Sequence, residues 1–145
     1  MKVSMKVDYG VRVLVDLAQH RGQGAVHTSD IASRQAIPEP YLDQLLTLLR
    51  KAGFINSKRG PQGGHTLAKS PAEINLGELI SSLEGSTAPT ECVAEPARCV
   101  RSNLCVQRDV WRAVEETTQK LLQAVTIDEL AQQQEQRQEA AIYHI

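Results

Sequence analysis

Cys92, Cys99 and Cys105 are the only cysteines of this 145-residue chain, and they stand in one stretch at the spacing C-x6-C-x5-C. An odd number leaves any disulfide framework incomplete, and thiolates are soft donors suited to zinc or to iron–sulfur clusters. Structural zinc is usually held by closer C-x2-4-C pairs, whose short bite matches a single ion. Wider gaps suit the girth of a cluster, in which each sulfur reaches a different iron, so the spacing tilts toward iron–sulfur. Zinc, a metal-free thiol redox switch and unliganded thiols are the alternatives. Three sulfurs also leave a coordination gap, to be filled from elsewhere in the chain, from a partner subunit or from solvent.

A second stretch, Ser57-Lys58-Arg59-Gly60-Pro61-Gln62-Gly63-Gly64-His65, carries a different chemistry. Its glycines allow a tight tip that can approach a sugar-phosphate wall, and Lys58 and Arg59 bring charge to that tip. The spacing G-x-x-x-x-G-K-[ST] of a nucleotide-binding loop is absent. The formal net charge is only −1, yet charge is unevenly placed along the chain. Between Asp43 and Glu73 there is no acidic residue, whereas Arg50, Lys51, Lys58, Arg59 and Lys69 fall there. The tail compensates with Glu115, Glu116, Asp128, Glu129, Glu135 and Glu139 against Lys120 and Arg137. A basic segment on a nearly neutral protein implies an oriented anionic partner.

The elements that must position these residues are legible from periodicity. Val7, Val11, Leu14, Val15 and Ala18 recur at helical spacing over 4–20, with Gly22 and Gly24 beyond the end. Thr28-Ser29-Asp30 supplies N-cap residues for a short helix over about 29–36, with Ile31 and Ala32 inward. Pro38 and Pro40 break and restart the chain into a helix over about 39–52, closed by Gly53. Phe54–Ser57 and His65–Ala68 read as strands of a hairpin around residues 60–64. Helices over about 75–84 and 104–124 flank an aperiodic stretch that holds the cysteines. A Gln-rich polar helix is expected from Asp128 to about Ala140.

Three helices followed by a glycine-tipped hairpin is the order of a winged helix-turn-helix, so the fold class is mainly α with a small β-hairpin, a winged helix-turn-helix domain plus a long helix. The expected divisions are a DNA-binding domain over 1–85, a cysteine-bearing loop over 86–104, and the long helix with a helical tail over 105–145. In this order the helix over 39–52 enters the major groove of double-stranded DNA and the hairpin reaches an adjacent groove. Glu39, Tyr41, Asp43, Gln44 and Thr47 are then the candidates to face DNA, while Leu42, Leu45, Leu46 and Leu49 face the core. Arg50 and Lys51 extend the basic face at the helix end. Gln44 suits a base edge, Asp43 suits cytosine N4, and Thr28 and Ser29 at a helix N-terminus suit a phosphate oxygen. In the wing the candidates are Lys58, Arg59, Gly60, Gln62, Gly63 and His65, with Arg59 the one placed to enter a minor groove.

The same residues resemble a known family, the Rrf-type winged-helix regulators with their IscR, NsrR and RirA branches. The likeness lies in Tyr9, in Pro38-Glu-Pro-Tyr-Leu-Asp-Gln-Leu-Leu46, and in Leu49-Arg-Lys-Ala-Gly53. It continues in the wing Arg59-Gly-Pro-Gln-Gly-Gly64, the three cysteines and Trp111. The resemblance implies a homodimeric regulator whose iron–sulfur cluster state changes its affinity for a partly palindromic operator. It also implies that the long helix is a dimerisation helix, with Trp111, Val114 and Leu121 at a two-fold interface. The IscR branch has a histidine ligand three residues after its last cysteine, where this chain has Arg108, which cannot ligate a metal. The NsrR branch matches at Asp8-Tyr9, which implies that the partner's Asp8 completes a 4Fe–4S cluster; 4Fe–4S is accordingly favoured over 2Fe–2S.

Composition bounds the rest. Hydrophobic residues make up 41% and aromatics 3%, so the core must be aliphatic. The sequence shows no apolar run long enough to span a bilayer and no signal-type N-terminus, so no membrane partner and a cytoplasmic location are expected. No Ser/His/Asp, paired-carboxylate or nucleotide-loop constellation supports an enzyme. Two rivals to a cluster-controlled regulator remain: a cluster-free thiol redox-sensing regulator and a non-regulatory iron–sulfur protein.

Overall fold

An aliphatic stripe on each of three helices builds the centre of the molecule. The structure is a computed structural model and describes residues 2–144. Helix α1 (Met5–Gln19) starts where the Ser4 hydroxyl accepts from the Val7 amide at 3.2 Å, and it buries Val7, Val13, Leu14 and Leu17. Helix α2 (Thr28–Gln35) contributes Ile31. Its N-cap is His27, without a side-chain cap, so the Thr28-Ser29-Asp30 cluster forms the first turn instead of capping it. Helix α3 (Glu39–Lys51) has Pro40 in its first turn, where a missing N–H leaves nothing unsatisfied. Leu42, Leu45, Leu46 and Leu49 of α3 are all buried, as the pattern of the sequence requires.

The end of α3 obeys a defined chemistry. Gly53 takes φ 85°, its amide donates to Arg50 O and the Phe54 amide donates to Leu49 O, both at 3.0 Å. These two bonds make a Schellman closure, which satisfies last-turn carbonyls and turns the chain toward the hairpin. Strands β1 (Ile55–Lys58) and β2 (Gly64–Leu67) pair antiparallel, with Ile55 opposite Leu67 and Lys58 opposite Gly64. Helix α4 (Leu76–Glu84) is capped by Asn75 and buries Leu79 and Ile80.

The cysteine stretch has more order than its sequence period suggests. It holds a single helical turn, α5 (Glu91–Ala94), and a 3-10 turn at Pro96–Arg98. Helix α6 (Val106–Ala124) follows and buries none of its residues. Helix α7 (Ile127–Tyr143) opens with a capping box between Thr126 and Glu129. Its Ile127 and Ala131 join the core cluster, and the helix lies along α1. The polar tail is therefore packed, held by Ile127, Leu130 and Ala131 at its start and by the Asn75–Thr126 bridge.

One buried charge ties α1 to α2. Asp16 is only 1% exposed, and Arg34 meets it with two parallel bonds of 2.8 Å while the Gln35 amide adds a third at 3.0 Å. The hydrogen bond to Asp16 raises the pKa of Arg34, against the desolvation that lowers it. A buried carboxylate stripped of its partners is strongly destabilising. Asp16→Ala should conversely orphan Arg34, which keeps solvent access, and should lower stability by about 2 kcal/mol in urea denaturation. Ala36, which closes α2, sits at φ 53°, a left-handed conformation that glycine adopts without Cβ strain. Ala36→Gly should raise stability by about 0.5–1 kcal/mol, after the larger unfolded-state entropy of glycine is subtracted. Thermal melts check both variants.

Candidate nucleic-acid interface and cysteine loop

The outward face of α3 is polar because its inward face takes all four core leucines. Asp43, Gln44, Arg50 and Lys51 are exposed, as is Glu39 in the first turn. Thr47 is half-buried and donates its hydroxyl to Asp43 O at 2.9 Å, so its methyl is the group freer to meet a partner. Tyr41 is also half-buried and meets Tyr9 edge to face, with ring centroids 5.6 Å apart. That contact fixes the start of α3 on α1 and explains why both tyrosines stand where they do. Leu48 is exposed beside these polar groups.

The wing projects Lys58, Arg59, Gly60 and Gln62 into solvent, and neither Lys58 nor Arg59 forms an ion pair among the described residues. Gly63 and Gly64 serve geometry. A Cβ on Gly63 would lie 2.2 Å from Lys58 O, and one on Gly64 would lie 2.5 Å from Val26 O. The second approach exists because Val26 pairs with His65 as a one-residue third strand, through amide bonds of 3.0 and 2.8 Å. Nothing in the local sequence of Val26 marks it as strand; the bridge depends on the distant His65.

His65 is the centre of this arrangement. Its Nε2 is hydrogen-bonded to the Thr28 hydroxyl at 2.9 Å and its Nδ1 to the Ser57 hydroxyl at 2.8 Å. Burial pushes its pKa below the ordinary histidine value; nearby Asp43 opposes that shift, and Arg50 and His27 add to it. These neighbours show that the outer face of α3 and the base of the wing lie on one side of the molecule. Of the sequence candidates, Asp43, Gln44, Arg50, Lys51, Lys58, Arg59, Gly60, Gln62 and Ser29 are thus exposed. Thr28 and His65 are engaged with each other, and Gly63 is buried in the turn.

The three cysteines occupy three different local structures. Cys92 lies on α5, Cys99 follows the 3-10 turn, and Cys105 is the N-cap of α6. All three are free thiols and half-buried. Cys92 Sγ is 3.1 Å from Thr90 Oγ1, and Arg108 donates from Nε to the Cys92 carbonyl at 3.1 Å. Arg108, three residues after the last cysteine, therefore acts as a backbone clamp. A second strap, absent from the sequence reading, runs from Thr87 to Glu115 Oε1 at 2.7 Å and to Gln119. Asp8 lies in the first turn of α1, exposed and paired with Arg12 at 3.1 Å. Among the described residues no three His, Cys, Asp or Glu side chains converge as a metal site within one chain. The donor set, three reduced and partly accessible thiols, has the right chemistry for an iron–sulfur cluster; bringing them together requires the loop to rearrange.

Apolar groups at Val106, Val110, Trp111, Val114 and Leu121 leave α6 with an exposed stripe. Among the described residues no helix is long and apolar enough to cross a membrane.

Comparison with known proteins agrees with this geometry. Residues 3–133 match the Rrf2 family, described as "Iron-dependent Transcriptional regulator". The protein rrf2 of Nitratidesulfovibrio vulgaris is 37% identical over 130 residues, 90% of this chain and 87% of that one. Among solved structures, CymR, the global cysteine regulator of B. subtilis, superposes with a TM-score of 0.76 at 32% identity, covering 91% of this chain and 97% of that chain. IscR of T. potens superposes with a TM-score of 0.73 at 41% identity, covering 90% and 86%. The winged-helix core, the basic wing and the matched sequence together make this chain a member of the Rrf2 family of transcriptional regulators.

Proposed function

We propose that this protein is a dimeric, DNA-binding regulator whose operator affinity follows the state of the cysteine loop over residues 86–104. The supporting observation is placement. Three reduced, half-buried thiols lie on the segment that joins α4, at the edge of the winged-helix core, to α6, whose apolar stripe is exposed. A change in that segment moves the reading head relative to the helix that pairs with a second copy. A coupling of about 1–3 kcal/mol is enough for a roughly 5- to 150-fold change in affinity.

In this reading α3 enters a major groove through Glu39, Asp43, Gln44 and Thr47, with Tyr41 at its edge, while Arg50 and Lys51 flank the backbone. Two copies address successive grooves of a partly palindromic site. Lys58, Arg59, Gly60 and Gln62 approach the adjacent groove, and His65 with Thr28 and Gly63 holds the wing in place. Ser29, in the exposed first turn of α2, suits a phosphate. The regulator works in the cytoplasm, where thiols stay reduced.

Cys92, Cys99 and Cys105, with the partner's Asp8, would hold an iron–sulfur cluster, 4Fe–4S before 2Fe–2S. Bound there, a cluster supplies a crosslink that responds to iron supply and to oxidants. The chain's own part is to present thiolates, to release the Arg108 clamp on the Cys92 carbonyl, and to carry the loop's new shape into α6. A second reading, a thiol redox switch without metal, is favoured by the separate local structures of the three cysteines and by the likeness to CymR, a cysteine regulator.

Cys99→Ala should abolish the visible absorbance of anaerobically purified protein. Wild-type protein lacking such absorbance, with iron supplied, would leave the thiol switch as the reading. Arg59→Ala should weaken operator binding about tenfold and reduce the slope of log affinity against log salt by about one, as for one lost phosphate contact. Unaltered affinity and slope in fluorescence anisotropy would remove the wing from the mechanism.

A further inference from the structure

The Gln-rich helix α7 has no part in the proposed reading of DNA or in the cysteine loop, yet it completes a groove. Where α7 lies along α1 beside the end of α2, a cavity of about 340 Å³ opens to solvent. Arg12 of α1, Arg34 of α2 and Arg137 of α7 all line it, and none of its described lining residues is acidic. This is notable in a chain whose net charge is −1 and whose tail is rich in glutamate. Arg137 forms no ion pair among the described residues. Arg34 uses Nε and Nη2 on Asp16, which leaves Nη1 without a hydrogen-bond partner among the described residues. Arg12 is pinned by Asp8 through Nη2. The groove is also lined by aliphatic Val11, Val15 and Leu130 and by Gln133 and Gln134, whose side-chain amides offer both donors and acceptors.

We infer that this groove between α1, α2 and α7 is a binding site for a short-chain aliphatic dicarboxylate. Guanidinium groups on opposing helices match carboxylates at the two ends of a small molecule. The aliphatic lining suits the methylene stem between those ends, and the cavity lies at the small end of the ligand-site range. Gln side chains satisfy carboxylate or hydroxyl oxygens without adding charge. Arg34 also holds buried Asp16, and it lies two residues before the left-handed Ala36 that leads into α3. A ligand on Arg34 therefore stiffens the helix that precedes the reading helix. The effect on operator affinity rests on the function proposed above; the binding itself does not.

Isothermal titration of the full chain with glutarate, in the absence of DNA, tests the site. The expected result is saturable binding by glutarate, no binding by its neutral diamide, and a loss of about tenfold in affinity for Arg137→Gln, the effect of one charge-assisted contact. Arg137 is exposed, so this variant leaves the core intact. Binding of inorganic phosphate as tight as that of glutarate, equal affinity of Arg137→Gln and wild type, or no saturable heat at millimolar glutarate would each overturn the assignment. A failure of operator binding in a separate anisotropy assay would bear on the regulatory reading and leave this result standing.

Discussion

A two-stranded hairpin is marginal in water and needs an anchor to hold a fixed direction. Here the anchor is His65. Its backbone pairs with Val26, ahead of α2, while its ring joins the hydroxyls of Thr28 on α2 and Ser57 on the opposing strand. Three of these hydrogen bonds, two to Val26 and one to Thr28, tie the wing to the start of α2, and the fourth, to Ser57, braces the hairpin itself. Gly64 is required beside it because the Val26 backbone comes too close for any side chain. The direction of the basic tip, and with it the spacing between tip and α3, follows from this one crossing. Since burial favours the neutral ring, its contribution is retained above the ordinary histidine pKa and declines as pH falls below it.

A second constraint governs the other end of the molecule. The cysteine stretch is neither core nor free coil: Thr87 straps its beginning to Glu115 and Gln119, and Arg108 clamps the carbonyl of Cys92. Both straps end on α6, which buries none of its own residues and shows an apolar stripe outward. A segment with few buried contacts and a handful of directed bonds can change shape without unfolding the core. The core itself is closed without α6, by Ile127 and Ala131 of α7 against the first helix. The cysteine stretch and the core are therefore held by separate sets of contacts.

Much of the fold follows from local rules that act within a few residues. The four leucines of α3 repeat at the spacing of one helix face, Pro40 and Gly53 mark its ends, and the Gly-rich tip with flanking short strands admits little but a hairpin. The cysteines announce soft-ligand chemistry by type and spacing, and the family likeness is dense enough in α3 and the wing to indicate a regulator. These signals are legible because periodicity, capping and thiol chemistry depend on neighbours in the chain.

Tertiary structure alone decided what depends on residues far apart in sequence. It placed Asp16 in a pocket built by Arg34 and Gln35, paired Val26 with the wing, and made His65 the pin of that wing. It also laid the polar tail on α1, where a short apolar face of Ile127, Leu130 and Ala131 suffices once the N-terminal bridge has set its direction. A periodicity search cannot see such contacts, because long-range pairing of single residues leaves no repeat in the chain. It is the closure of the whole core that brings those partners together.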